Sequence, residues 1–219
     1  MGPIVISIVS ISKGKEGRLS RIGVRDSKML TRRKREFLLD EIKAVSEEIQ
    51  VYIISAGEIN EAMHGKVSIN ELEALNFAKL IDSASSVPER FYVDSPDVVP
   101  ERFGMRIKLF SKKAMTIEGM RNNERVAGVK PIRIRAEHKA DARYPIVSAA
   151  SIVAKVTRDL EIARIAEEEG IEIGSGYPSD RYTIDAIKRE MGTSRLDPYI
   201  RNYWKTMSLI KQSKIEDFI

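Results

Sequence analysis

The run Ile4-Val5-Ile6-Ser7-Ile8-Val9-Ser10-Ile11 constrains the fold more than any other part of the chain. β-Branched side chains on both faces of an extended segment favour a strand that is covered on each side. Such a strand needs one layer of structure above it and another below, so these residues belong to the core of a layered domain. The run has no basic segment before it and is far short of the roughly 20 apolar residues of a membrane span. It reads as a buried strand.

The remaining periodicities extend that frame. Thr31 is placed to cap a helix carrying Phe37, Leu38, Ile42, Val45 and Ile49, and Gln50 to Ile54 reads as the next strand. Asn70 and Glu73 form a capping pair for a helix through Leu72, Leu75, Phe77, Leu80 and Ile81. Arg90 to Val93 is a short strand ending on Asp94, and Ser95-Pro96-Asp97 terminates it. Ile132, Ile134 and Ala136 alternate with Arg133 and Arg135, which predicts a strand with one polar face. Helices are expected around Ser148 to Glu169, Asp180 to Met191 and Pro198 to Ile210. Strands early, helices interleaved and helices late give an α/β domain with a helical C-terminal portion.

A chain of 219 residues, 42% hydrophobic, buries one sizeable core. Its formal charge of +5 is compatible with a polyanionic partner without demanding one. The absence of cysteine excludes disulfides, thiolate metal sites and a cysteine nucleophile, and a cytoplasmic location is expected.

Several groups of residues are candidates for chemistry. From Pro145 onward, Ile146, Ala150, Val153, Val156, Leu160 and Ala163 form the expected buried stripe of a helix. Ser148, Ser151, Lys155 and Arg158 share another face, which is either a phosphate-binding surface near a helix start or an ordinary solvated face. Asp94 closes a strand and Asp141 precedes the helix, with Glu137 and His138 close by. Two carboxylates so placed either hold a hard divalent cation or are solvated loop acids. In Gly174-Ser175-Gly176-Tyr177-Pro178-Ser179-Asp180 a tyrosine sits in a glycine-rich turn, free to stack on a sugar or base, while Ser179 or Asp180 caps the next helix. Arg25, Lys28 and Arg32 to Arg35 gather cations at a helix start, a charge cluster that is either solvated or set against a phosphate backbone.

Five segments in order carry a resemblance: "IGVRDSKMLTRRKRE" at 22–36, "NELEALNF" at 70–77, "FYVDSPDV" at 91–98, "AEHKADARYPIVSAASIVAKVTRD" at 136–159 and "GSGYPSD" at 174–180. Together they resemble ribonuclease HII, the type 2 ribonuclease H family, in its archaeal branch. The resemblance implies a ribonuclease H-like fold with a mixed central sheet flanked by helices. It also implies an endonuclease that cuts the RNA strand of RNA–DNA hybrids and cuts at ribonucleotides embedded in duplex DNA, leaving 3′-hydroxyl and 5′-phosphate ends. Two divalent ions, Mg²⁺ or Mn²⁺, about 4 Å apart would serve the reaction. By motif position, Asp94 and Asp141 would be two of the family's four catalytic, metal-binding carboxylates. Lys28, Ser148 and Ser151 would contact the nucleic-acid backbone, and Tyr177 would pack at the ribonucleotide–deoxyribonucleotide junction.

The family's other two acids belong to a D-E-A-G-R-G strand that does not occur in these 219 residues, so this chain is expected to be impaired. The alternative is a hybrid-binding homologue without a complete metal centre. Residues 118–130 look like an inserted loop. The ending Gln212-Ser213-Lys214-Ile215-Glu216-Asp217-Phe218-Ile219 fits a sliding-clamp-binding peptide, with Gln212, Ile215 and Phe218 as its contacts, although its final position is Ile. The expected organisation is a catalytic domain over 1–170, a helical portion over 171–211 and a clamp-binding tail over 212–219. The protein would act as a monomer in DNA replication and repair.

Overall fold

The structure, a computed structural model, describes residues 1–24, 30–120, 130–204, 206–208 and 210. Its elements run β1 (Ile4–Ser10), α1 (Glu16–Arg21), α2 (Arg32–Val45), β2 (Glu48–Ile54), α3 (Ala56–His64), α4 (Ile69–Ser83) and β3 (Arg90–Asp94). They continue with α5 (Pro100–Phe110), β4 (Met115–Ile117), β5 (Ile132–Glu137), α6 (Ala140–Arg143), α7 (Pro145–Glu169) and α8 (Arg181–Glu190). The alternation of strands and helices is the α/β order read from the sequence.

Contacts divide the chain into two interleaved units. One comprises 6–52 and 70–156, the other 1–5, 53–69 and 157–219. Residues 157–170 therefore group with the C-terminal portion, and the contact units do not follow the boundary expected at 170.

The first unit has two cores. In one, Leu38, Ile42 and Val45 of α2 pack with Leu19 and Val9 against Ala149, Ile152, Val153 and Val156 of α7. Thr31 caps α2 as expected, its hydroxyl accepting the Lys34 N–H at 3.3 Å. Two positions expected on this helix behave differently. Ile49 lies in β2, because Ser46 turns the chain extended, and Phe37 is exposed with the Lys34 ammonium 4.7 Å from its ring centre. The buried stripe of α7 is also displaced from the expected one: Leu160 and Ala163 are exposed, and Ile162 and Ile165 are buried instead.

The other core lies under a parallel sheet of order β3-β5-β4. Because strand side chains alternate, Phe91, Val93, Ile132, Ile134 and Ala136 face Ala74, Ala78 and Ile81 of α4 and Phe103 and Ile107 of α5. The opposite face carries the register pairs Arg90 with Arg133, Tyr92 with Arg135 and Asp94 with Glu137. Among the described residues β1 and β2 form a separate two-stranded sheet. Asn70 is not a cap: α4 begins at Ile69, and the Asn70 amide donates to Asp97 Oδ1 at 2.6 Å. Arg106 on α5 donates to the same carboxylate at 3.2 Å, so buried Asp97 ties α4 and α5 to the end of β3.

The second unit is built on Ile162, Ile165, Ile171, Ile173, Ile187, Leu196 and Ile200. Asp180 caps α8 by accepting the Tyr182 N–H, which matches the expected helix there. The helix expected over 198–210 is not continuous. A 3-10 turn at Asp197–Tyr199 gives way to an extended Ile200, then Arg201 donates to the carbonyls of Gly2 and Pro3 and Asn202 donates to Asn60. Those partners hold the backbone in an irregular path that local periodicity does not encode.

Candidate active site

The carboxyl ends of parallel strands emerge side by side, so the register of β3 and β5 brings Asp94 next to Glu137. β5 then passes through Lys139, in the left-handed region at φ 53°, into the single turn α6. Asp94 Oδ1 accepts the Ala140 N–H at 2.9 Å, tying the end of β3 to the first residue of α6. Asp141 comes next, half-buried, and makes no hydrogen bond or ion pair among the described residues.

Asp94 and Asp141 line one cavity of about 580 Å³. Consecutive residues Ser7–Ser10 of β1 and Arg90–Asp94 of β3 also line it. Alternate side chains point to opposite faces, so a wall of consecutive residues is a strand edge. Among the described residues β1 pairs with β2 alone and β3 with β5 alone, so each turns an edge without a ladder partner to this cavity. Helix α7 contributes Ile146, Val147, Ala150 and Ser151 to the lining, and the Ser7 hydroxyl donates to the Ala150 carbonyl at 2.7 Å.

Glu137 does not line the cavity but bonds to Tyr144, which does. Its Oε1 accepts from Arg135 Nε at 2.7 Å and from the Tyr144 hydroxyl at 3.0 Å, and its Oε2 accepts from Arg143 Nη1 at 2.7 Å. Burial alone would raise this carboxyl, but hydrogen bonds from Arg143, Tyr144 and Arg135 outweigh it and hold the group below the usual carboxylate range. The Tyr144 phenol is pushed up by burial and by the same carboxylate. Its ring packs on Tyr92 at 4.5 Å between centres.

The expected phosphate face of α7 is divided by burial. Ser151 is half-buried and lines the cavity, Lys155 is half-buried, and Ser148 is only 1% exposed. Arg158 is 9% exposed. Its guanidinium carbon lies 3.9 Å from the Tyr177 ring centre, and it donates to the Ser175 carbonyl at 3.1 Å. Tyr177 is 40% exposed. His138 Nε2 lies 3.2 Å from the Val98 carbonyl oxygen. Lys28, Gln212, Ile215 and Phe218 lie outside the described residues, as do 121–129 of the expected insertion. Sequence reading missed the clamp formed by Glu137, Arg135, Arg143 and Tyr144. The polar alternation of β5 was visible, but its partners across α6 were not.

The donor chemistry suits a hard divalent cation. Asp141 keeps both oxygens unengaged by described groups, and Asp94 gives one hydrogen bond's worth of one oxygen to Ala140. Among the described residues no three metal-ligating side chains cluster, although Glu16, Glu47 and Glu89 also line the cavity.

The ribonuclease HII family model matches residues 1–207. The chain belongs to the ribonuclease HII family. It is 38% identical over 218 residues to the ribonuclease HII of Archaeoglobus fulgidus, covering 100% of this chain and 94% of that protein. Its fold matches the chain solved in the PCNA:RNase HII complex from the same organism, with TM-score 0.79, 37% identity and coverage of 100% and 94%. The fold alone extends to Bst-RNase HIII solved in complex with Mn²⁺, with TM-score 0.73 and 18% identity, over 97% of this chain and 65% of that one. The ribonuclease HII chain is thus an endoribonuclease of the hydrolase class with an α/β, ribonuclease H-like fold.

Proposed function

We propose that this ribonuclease HII hydrolyses the RNA strand of RNA–DNA hybrids and cuts at single ribonucleotides in duplex DNA, leaving 3′-hydroxyl and 5′-phosphate ends. The observation that carries the reading is the convergence of Asp94 and Asp141 on one cavity, with Asp141 unpartnered among the described residues. Asp94 and Asp141 would hold divalent metal, Mg²⁺ or Mn²⁺, and Ser151 would meet a backbone phosphate from the same cavity. Ser148 is buried and does not line the cavity, so in this arrangement the contact falls to Ser151. When bound, two divalent ions promote deprotonation of the attacking water and stabilise the leaving oxygen. Tyr177, stacked on Arg158, offers its outer ring face to the sugar at the junction. Lys28 would add a backbone contact. The chain acts as a cytoplasmic monomer in replication and repair, with Gln212, Ile215 and Phe218 docking on the sliding clamp. The solved clamp complex of the Archaeoglobus protein supports that partner.

A second reading is a hybrid-binding homologue without a working metal centre, favoured by the lack of a three-ligand cluster among the described residues. One assay separates the two: Mg²⁺- or Mn²⁺-dependent cleavage of a long hybrid and of a duplex with one ribonucleotide. Cleavage that Asp141→Asn lowers by at least about 100-fold supports the hydrolase, on the scale of transition-state contacts. Binding without cleavage supports the second reading, and full activity of Asp141→Asn removes the site assignment.

A further inference from the structure

We infer that Glu137 is a positioning residue for the metal-binding carboxylates, acting through Arg143 and Tyr144 on the turn that carries Asp141. The inference rests on the reading of Asp94 and Asp141 as metal ligands. Helix α6 has four residues and comes after a left-handed Lys139, so one turn of its own hydrogen bonding cannot fix its orientation. External anchors must do so, and there is one at each end. Asp94 accepts the N–H of Ala140, the first residue, and Glu137 Oε2 accepts from Arg143, the last. Glu137 Oε1 takes the hydroxyl of Tyr144 just beyond it, with Tyr92 packed on the ring.

The two anchoring carboxylates are register partners on adjacent strands. The position of Asp141 relative to Asp94 is therefore set by the β3–β5 pairing through two short links. Glu137 does not itself serve as a ligand, since three donors from Arg135, Arg143 and Tyr144 engage its two oxygens. Its side chain is 19% exposed and that of Arg143 is 65% exposed, so the bond between them lies at the surface. Replacing Glu137 by Gln keeps the shape but leaves a single acceptor oxygen where two are in use.

The test titrates Mn²⁺ into the purified full chain and reads the free ion by electron paramagnetic resonance, with Asp141→Asn as the control that should lose binding. Glu137→Gln is expected to weaken Mn²⁺ binding about 10- to 100-fold, the usual effect of removing a group that orients a metal ligand. Arg143→Ala should weaken it in the same direction, and the double variant should lose no more than Glu137→Gln alone, because both act through one link. Hybrid binding without metal should not change. A purely structural role would lower the melting temperature and leave Mn²⁺ affinity in the folded protein unmoved. If Glu137→Gln does not fold, Arg143→Ala decides, since its side chain is exposed. A native chain that binds Mn²⁺ with either folded variant matching it overturns this inference alone. A native chain that binds no Mn²⁺ overturns the metal-site reading, and the inference with it.

Discussion

Asp180 concentrates more bonds than any cap requires. Its Oδ2 accepts the Ser175 N–H at 2.6 Å, the Ser175 hydroxyl at 2.7 Å and the Thr183 hydroxyl at 3.1 Å, and its Oδ1 accepts the Tyr182 N–H at 3.1 Å. The Ser175 N–H is the chief reason that its carboxyl is lowered from 3.8 to about 2. A carboxyl lowered by folding stabilises the folded state above its unfolded pKa, and that contribution is lost as pH falls through the folded value. Asp180→Ala should therefore cost about 0.5–2 kcal/mol near neutrality, the range for losing a helix cap. In a protein of this size that is a fall of a few degrees in melting temperature. The gap between variant and native should hold down to about pH 4 and close towards pH 2, as melting curves across that range will show. The capping role was legible in the sequence, because a carboxylate before an amphipathic run is a local signal. The bonds to Ser175 were not, since they depend on a turn that folds the preceding loop back onto the cap.

The loop from Gly174 to Asp180 shows how an element is specified by its neighbours. Gly174 and Gly176 have φ of +77° and +74°, a region that side chains rarely enter. A side chain would also crowd its neighbours. A Cβ on Gly176 would lie 2.7 Å from Ile162 Cδ1 and 3.0 Å from Arg158 Nη2, and one on Gly174 would lie 2.5 Å from Asp180 Oδ2. The chain can thus lie directly on α7, where Arg158 supports Tyr177 from beneath. Gly176→Ala should lose about 1–3 kcal/mol, the cost of a strained backbone site, with the clash added, and thermal unfolding measures it. The glycines and the tyrosine were readable as a turn presenting a ring. Arg158 shares a helical face with Ser148, Ser151 and Lys155 that reads as either phosphate-binding or solvated, because helical spacing reports a face and not what covers it. The same limit explains α7, where Leu160 and Ala163 fit a three-and-four spacing yet are exposed. It also explains Asn70, whose partner Asp97 lies in the bend after β3.

At the scale of the whole molecule, the proposed clamp contact makes a separable prediction. Deleting residues 212–219 should abolish binding to the sliding clamp in a pull-down or calorimetric titration and leave hybrid binding unchanged. Unchanged clamp binding would rule out the tail as the docking segment. The cavity belongs to this scale too, since it exists only where the edges of β1 and β3, each paired on one side among the described residues, meet the start of α7. By itself the sequence determined that residues 4–10 form a strand with Ile6, Ile8 and Val9 in the core, that Asp94 ends a strand, and that ordered motifs place the chain in the ribonuclease HII family. Those conclusions rest on side-chain shape, short-range periodicity and the order of segments, all of which are properties of the chain as written. Only the tertiary structure decided that Asp94 and Asp141 share a cavity, that Ser148 is enclosed while Ser151 is not, and that Glu137 grips both Arg143 and Tyr144 at the end of α6. The reason is physical: strand register and helix burial are set by which distant segments pack together, and no local pattern carries that pairing.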